Sequence, residues 1–133
     1  MTTISGSGSG DGYGYGSGDG YGSGDSEQYA AALLESVPQP EGARLAFWCS
    51  TAEGQPAQMR CTMTPAAVGV VHEVAGPLRI STKHAVHGTL QPWKWPGALL
   101  WVIALHGEIE EGNDKLAALK REILAEIVPN PWA

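Results

Sequence analysis

The strongest hydrophobic pattern in the chain is the run ALLWVIALH at residues 98–106, which is apolar at both odd and even positions. A strand with two apolar faces is typical of the interior of a sheet that is covered on both sides. We therefore predict a central strand here. A second strand is predicted over residues 43–50, where Leu45, Phe47 and Cys49 share one face. Two shorter strands are predicted at 68–74 and 77–80.

Helical signals occur in three places. Residues 26–36 predict a helix, because Ser26 is a suitable N-cap and prolines follow the segment. A short helix is predicted from Lys83 to about Leu90, after a Ser-Thr pair that can cap it.

The segment DKLAALKREILAEI at residues 114–127 predicts a third helix, since its residues have high helix propensity. A strand over Leu119–Ile127 also fits, because Leu119, Ile123 and Ile127 have the same parity, with Arg121 interrupting the row. Propensity favours the helix.

These elements predict one α+β domain at residues 26–133. It would contain a small mixed or antiparallel sheet of about four strands, with two or three packed helices. Residues 1–25 would form a Gly-alternating extended N-terminal arm that precedes this domain.

The predicted arm contains ten glycines at every second position from Gly6 to Gly24, and only Ser, Asp and Tyr stand between them. In an extended chain, one face would be bare backbone and the other would carry hydroxyls, carboxylates and phenols. Three interpretations remain open: a flexible linker, a silk-like cross-β segment, and a Gly-rich wall packed on a partner. Calcium-binding nonapeptide repeats are excluded, because the tract has no aliphatic residue and no Gly-Gly pair.

The chain has 133 residues and a net charge of −6, and its eight Lys and Arg residues are scattered. An acidic chain without a basic patch argues against nucleic-acid and anionic-membrane partners. We expect neither a signal peptide nor a transmembrane span, and a location in the host cytoplasm or the virion. The thiols of Cys49 and Cys61 are expected to be reduced.

No complete catalytic or metal-binding constellation is present. His84 and His87 could join Cys49, Cys61 or another histidine around zinc, but no CxxC, HExxH or HxxxH spacing occurs. Glu108, Glu110 and Glu111 are expected to form a solvated acidic turn. We therefore predict no cofactor, no metal and no catalytic residue.

Two alternatives concern other functions. His87-Gly88-Thr89 is similar to the His-Gly-Thr motif of ADP-ribosyltransferases, in which His and Thr contact the nicotinamide ribose and a later glutamate is the catalytic acid. Glu108 or Glu122 would take that last role, although the tyrosine motif of those enzymes is missing. The other alternative is an inhibitor of a host protein, anchored through Trp93 and Trp95.

Aromatic residues are the best candidates for contacts with a partner, because Tyr and Trp dominate interface hot spots. The tract supplies three tyrosines, and the domain supplies two tryptophans among prolines and one near its end. The predicted partner-binding residues are Tyr13, Tyr15, Tyr21, Trp93, Trp95 and Trp132.

The segments KHAVHGT, PWKWPG, LWVIALHGE and DKLAALKREI, with the upstream LAFW and GPL motifs, resemble a group of small proteins from bacteriophage and some bacterial genomes. The resemblance covers about residues 43–127, and Gly-Tyr-Ser-Asp tracts accompany several members. This chain departs from the pattern at Gly88, where alanine is usual, and at Ser81, near a position where cysteine often occurs. The resemblance implies a phage or prophage origin and carries no biochemical activity with it. We therefore expect a non-enzymatic structural or interaction protein that docks on a larger assembly or on other copies of itself, with its arm along a neighbouring chain.

Overall fold

The structure is a computed structural model that describes residues 3–5, 24–57, 62–82 and 84–132. Its elements in chain order are β1 (Thr3–Ser5), α1 (Gly24–Glu35), β2 (Ala43–Ser50), β3 (Val71–Glu73), β4 (Val86–Gly88), a 3₁₀ helix (Pro92–Lys94), β5 (Leu99–His106), β6 (Glu110–Glu111), β7 (Leu116–Ala118) and β8 (Lys120–Val128).

The main sheet has the strand order β1-β8-β5-β2, and β3 also pairs with β8. Strand β5 lies between β2 and β8 and is antiparallel to both. The prediction of a central strand there is confirmed, and so is the predicted strand at 43–50. Strand β1 pairs in parallel with one end of β8, from Thr3 opposite Glu126 to Ser5 opposite Val128.

The second sheet has the order β4-β7-β6 and covers one face of the main sheet. Leu116 and Ala118 of β7 pack there in one buried cluster with residues of the main sheet, including Trp101 and Ile103. The backbones of Phe47 and Thr89 exchange two hydrogen bonds of 2.8 Å, which join the end of β4 to β2.

Helix α1 covers the opposite face of the main sheet. Its buried residues Ala30 and Leu33, followed by Val37, pack in a cluster with Phe47, Leu100 and other sheet residues. Burial of a leucine such as Leu33 stabilises the fold by about 1.5–3 kcal/mol. The predicted helix at 26–36 is confirmed and begins at Gly24.

The predicted fold class is wrong, because the chain is mostly β and the described residues contain one α-helix instead of two or three. Residues 114–127 form β7 and most of β8 instead of the predicted third helix. The segment from Lys83 to about Leu90, predicted as a short helix, contains the strand β4. Pairing with β5 along almost the whole of β8 outweighs helix propensity, which is a weak preference compared with tertiary contacts. Residues 77–80 form no strand, and β3 occupies three residues of the predicted strand at 68–74.

A register shift in β8 allows buried residues of one parity to face both sides of the main sheet. Val102 lies opposite Ala125 whereas Ile103 lies opposite Ile123, so Leu124 is an extra residue on β8. After this bulge, side chains of the same parity switch faces. Ile123 packs beneath the second sheet, and Ala125 and Ile127 pack beneath α1.

The Gly-rich tract connects two elements that belong to the same domain. Thr3–Ser5 of the predicted arm form β1 in the main sheet, and the last glycine of the tract, Gly24, begins α1. The prediction of an extended arm otherwise falls on residues 6–23, which lie outside the described ranges. Among the described residues, no helix is both long enough and apolar enough to cross a membrane.

Candidate functional site

A groove of about 490 Å³ lies between α1 and the segment Leu90–Lys94. Helix α1 forms one wall through Glu27, Ala30, Ala31 and Leu34, which recur at helical spacing. The two alanine side chains project little from the helix, because they end at Cβ.

The opposite wall combines an apolar surface with one cation. Leu90, Gln91, Trp93 and Lys94 line it. Leu90 is 40% exposed, which is high for a large apolar side chain. The 3₁₀ helix holds this wall in place, because the backbone N–H groups of Lys94 and Trp95 donate to the carbonyl oxygens of Gln91 and Pro92.

The indole nitrogen of Trp93 is shielded from solvent. Nε1 is buried and has no hydrogen-bond partner. A buried N–H group without an acceptor costs about 1–3 kcal/mol relative to a paired one.

An aromatic cluster supports Trp93 from behind. The ring of Trp132 lies 6.0 Å from that of Trp93, 5.5 Å from Tyr29 and 6.3 Å from Phe47, measured between centroids. These tilted and edge-on arrangements are the geometries that aromatic pairs prefer. The contacts fix Trp93 in a rigid wall, so little side-chain entropy is lost when a ligand binds.

The predicted partner-binding tryptophans separate into two places. Trp93 and Trp132 are in contact at the groove. Trp95 points toward the loop before β7, where its Nε1 donates to the Asp114 carbonyl oxygen at 2.8 Å and Lys115 Nζ lies 5.5 Å from its ring centroid. The tyrosines predicted with them, Tyr13, Tyr15 and Tyr21, lie outside the described residues.

A second concentration of polar groups lies inside the domain, around Arg121. This side chain is 2% exposed, and its guanidinium stacks on the ring of Trp48. Its Nη2 donates to Nδ1 of His72 at 2.8 Å, and its Nη1 donates to the carbonyl oxygen of His87 at 2.7 Å. His72 in turn donates through Nε2 to the Thr64 carbonyl oxygen at 2.7 Å.

Burial and neighbouring cations lower the pKa values of both histidines at this site. Burial lowers the pKa of His72, and the nearby charge of Arg121 adds to this effect, although the hydrogen bond to Thr64 opposes it. Burial lowers the pKa of His87 to about 4, with further contributions from Lys115 and Arg121. Nε2 of His87 accepts a hydrogen bond of 2.9 Å from the backbone N–H of Ser81. The cluster therefore acts as a structural hydrogen-bond network at the join between the two sheets.

The residues of the His-Gly-Thr motif are used in packing. Thr89 is 3% exposed, and its hydroxyl donates to the Asp114 carbonyl oxygen at 2.6 Å and accepts from the Gln91 N–H at 2.9 Å. A Cβ on Gly88 would lie 2.8 Å from Cδ1 of Ile103, so glycine allows β4 to approach the main sheet. These contacts give each residue of the motif a structural role.

The predicted acidic turn and the other candidate ligands are dispersed. Glu110 and Glu111 form β6, and Glu111 pairs with Arg44 at 3.4 Å. Glu122 lies 3.1 Å from Nε2 of His106. No group of three or more His, Cys, Asp or Glu side chains able to hold a metal ion occurs in the described parts of the chain. Burial raises the pKa of the Cys49 thiol to about 12, which makes it unreactive.

The sequence matches no protein-family model and no curated protein, and no solved structure matches the fold. Of the two sites described, the groove beside α1 is open to a ligand, whereas the Arg121 cluster is closed within the core.

Proposed function

We propose that the protein is a non-enzymatic structural or interaction protein, related to phage or prophage proteins, whose Gly-rich tract contacts a neighbouring copy of the chain within a larger assembly. The observation that carries this proposal is the position of the tract between β1 and α1. Both elements belong to the domain, so the tract is joined to the domain at both of its ends.

The length of the tract supports a role in reaching a neighbour. Eighteen residues connect β1 to α1, and Tyr13 and Tyr15 lie at their middle. Because each half has nine residues, the middle of the tract can extend about 30 Å from its anchors at about 3.3–3.6 Å per residue. Tyr13 and Tyr15 therefore occupy positions in the tract that are among the furthest from both points of attachment to the domain.

The composition of the tract supports recognition by contact. Tyrosine provides a large ring and a hydroxyl at a low cost in side-chain entropy, and is enriched at interface hot spots. The intervening glycines leave backbone N–H and C=O groups open to a partner, as in strand addition. Meanwhile the polar groups that could suggest catalysis, around Arg121 and Thr89, are occupied by hydrogen bonds inside the fold.

The test is the triple variant Tyr13→Ser, Tyr15→Ser, Tyr21→Ser, which keeps the length and glycine pattern of the tract. Analytical ultracentrifugation over a wide concentration range should show self-association of the natural chain and its loss in the variant. The matched control replaces Ser9, Ser17 and Ser23 with alanine and should associate like the natural chain. Equal association of the tyrosine variant and the natural chain would overturn the proposal.

A further inference from the structure

We propose that His87 is an acid-sensitive latch that binds the loop segment 75–82, which follows β3, to the second sheet. At neutral pH the imidazole accepts a hydrogen bond from this loop, and protonation of the same nitrogen converts the acceptor into a donor. The loop is then released from β4. This inference concerns the domain and does not depend on the function proposed for the Gly-rich tract.

The latch is a hydrogen bond between the backbone of the loop and a side chain of the second sheet. The N–H of Ser81 donates to Nε2 of His87 at 2.9 Å. His87 is the middle residue of β4, and its two neighbours in this strand are buried, so the second sheet fixes its position. Because a protonated Nε2 cannot accept, the bond requires the neutral imidazole.

The backbone of Ser81 has a conformation that depends on such a bond. Its φ is +67°, in the left-handed region, and no other non-glycine residue in the described part of the chain has a positive φ. This region is unfavourable for an L-residue that carries a Cβ. The bond to His87 offsets this cost. Its loss therefore favours the return of Ser81 to an ordinary backbone conformation, which moves the loop.

The adjacent residue provides a second connection between the loop and the second sheet. The backbone N–H of Ile80 donates to Oε1 of Glu110, which is exposed on the edge strand β6. Ser81 is also exposed, so water can hydrate its N–H group and the imidazole once they separate. A further bond, from Oγ1 of Thr82 to the carbonyl oxygen of Arg79 at 2.7 Å, lies within the loop and can move with it.

The surroundings of His87 oppose its protonation while the latch is closed. Burial lowers the pKa of His87 to about 4, and two cations add to this effect, Lys115 before β7 and Arg121 on β8. When the loop is released, water reaches Nε2 and the pKa moves toward its ordinary value of about 6.5. The open form therefore binds the proton more tightly than the closed form, and acid favours release.

Other titratable groups surround the latch on the loop, on β6 and on β3. They are Arg79, Lys83 and His84, which are close to Ser81 in the sequence, together with Glu110 on β6 and His72 on β3. His72 accepts a hydrogen bond from Arg121. Glu110 is the anion that binds the loop directly, so its titration must be separated from that of His87 by experiment.

The experiment follows the full chain by NMR from about pH 7.5 to about pH 3, a range that includes the titration of a histidine with a lowered pKa. The Ser81 amide reports the latch, the ring nitrogens of His87 report protonation, and the amides of β5 report the fold. Ser81 and His87 should change together, with an inflection between about pH 4 and about pH 6.5, while β5 stays unchanged. Within that window the ratio of open to closed loop should rise by up to about tenfold per pH unit.

Two matched variants each replace a titrating acceptor with an amide that does not titrate. His87→Gln keeps an oxygen for the Ser81 N–H, so the Ser81 resonance should stay in place over the whole range. Glu110→Gln keeps an oxygen for the Ile80 N–H and should open like the natural chain. The pair therefore distinguishes release through His87 from release through Glu110.

Every other result overturns the latch. A Ser81 resonance that moves equally in His87→Gln, or a loop that stays closed in Glu110→Gln, assigns the response to another group. A His87 ring that titrates without a change at Ser81 separates protonation from the loop, and a ring that stays neutral throughout leaves the latch without a trigger. If the β5 resonances disappear together with that of Ser81, acid unfolds the whole domain instead of releasing the loop.

Discussion

The guanidinium of Arg121 stacks on the indole ring of Trp48, with Cζ 3.8 Å from the ring centroid. Both side chains are buried, and His72 packs edge-on against the same indole at a centroid distance of 5.5 Å. A cation over a desolvated aromatic face stabilises the fold by about 2 kcal/mol. The pair therefore links β8, which carries Arg121, to β2, which carries Trp48. The same guanidinium also donates a hydrogen bond to the carbonyl oxygen of His87 on β4.

Replacement of Arg121 with methionine should destabilise the protein. The change keeps an apolar stem but leaves Nδ1 of His72 and the carbonyl oxygen of His87 without this donor. Because buried groups without partners cost about 1–3 kcal/mol each, the free energy of unfolding should fall by about 2–4 kcal/mol. Urea denaturation followed by tryptophan fluorescence measures it. Lys120→Met, at the exposed neighbouring position, is the control and should change stability by about 0.5 kcal/mol or less. Equal effects of the two substitutions would contradict a structural role for the Arg121 network.

Acidification should destabilise the fold through His87. Its pKa is near 6.5 in the unfolded chain and about 4 in the folded one, so the unfolded chain binds the proton more tightly. The stabilisation is complete above about pH 6.5 and is lost as the pH falls toward about 4, at up to about 1.4 kcal/mol per pH unit. His72, whose pKa is also lowered, adds a change of the same sign.

The variant His87→Gln tests this dependence, since glutamine offers an oxygen to the Ser81 N–H and does not titrate. Urea denaturation at about pH 7.5 and about pH 5 should show a smaller loss of stability in the variant than in the natural chain. A loss of the same size in both proteins would assign the acid sensitivity to other groups.

Gly88→Ala should destabilise the fold for steric reasons. The added methyl group would lie 2.8 Å from Cδ1 of Ile103, 3.1 Å from Cβ of Ala46 and 3.2 Å from the carbonyl oxygen of Phe47. Overpacking of this kind costs about 1–3 kcal/mol. Thermal unfolding measures the loss.

Two companion variants make the Gly88 result specific. Ile103→Val removes the nearest atom, so the double variant should lose less stability than the sum of the two single changes. Gly112→Ala is the control, because its nearest contact is the end of the Ile80 side chain at 3.1 Å, which can move. Additive losses in the double variant would show that the clash with Ile103 is not the cause.

The thiol of Cys49 should resist alkylation in the native protein. The side chain is 5% exposed and its pKa is raised to about 12, so almost no thiolate forms near neutral pH. In a Cys61→Ser background, labelling by iodoacetamide should be negligible in buffer and rapid in concentrated urea. Rapid labelling in buffer would show that the β2 face beneath α1 opens readily.

The sequence predicts correctly the two strands in which the order of apolar and polar residues matches the burial of each position. Residues 98–105 are apolar at every position, and the central strand β5 covers all but the first of them. The alternation at 43–50 matches a strand with two different faces. The segment 114–127 was misassigned because its residues prefer helix, and pairing with β5 decides the outcome. Every second residue of β8 from Arg121 to Ile127 is buried, but the polar Arg121 makes this alternation look interrupted in the sequence.

The groove could be predicted only in part. The sequence predicts Trp93 and Trp132 as contacts with a partner; Trp93 lines the groove and Trp132 packs against it. The wall formed by Ala30 and Ala31 was missed, because small side chains on a helix carry no signal of their own. The two walls of the groove are separated by more than fifty residues in the sequence, so only the tertiary fold shows that they meet.

The parallel pairing of β1 with β8 has a consequence for the order of events during synthesis. Residues 3–5 find their partners at residues 126–128, so the first strand to leave the ribosome must wait for nearly the last residues of the described chain. Until then the tract is held by α1 alone. A chain that stopped before residue 126 would carry the tyrosines on an open tail instead of a loop. Synthesis of residues 126–128 would thus convert the tract from a segment attached only to α1 into a loop attached at both ends.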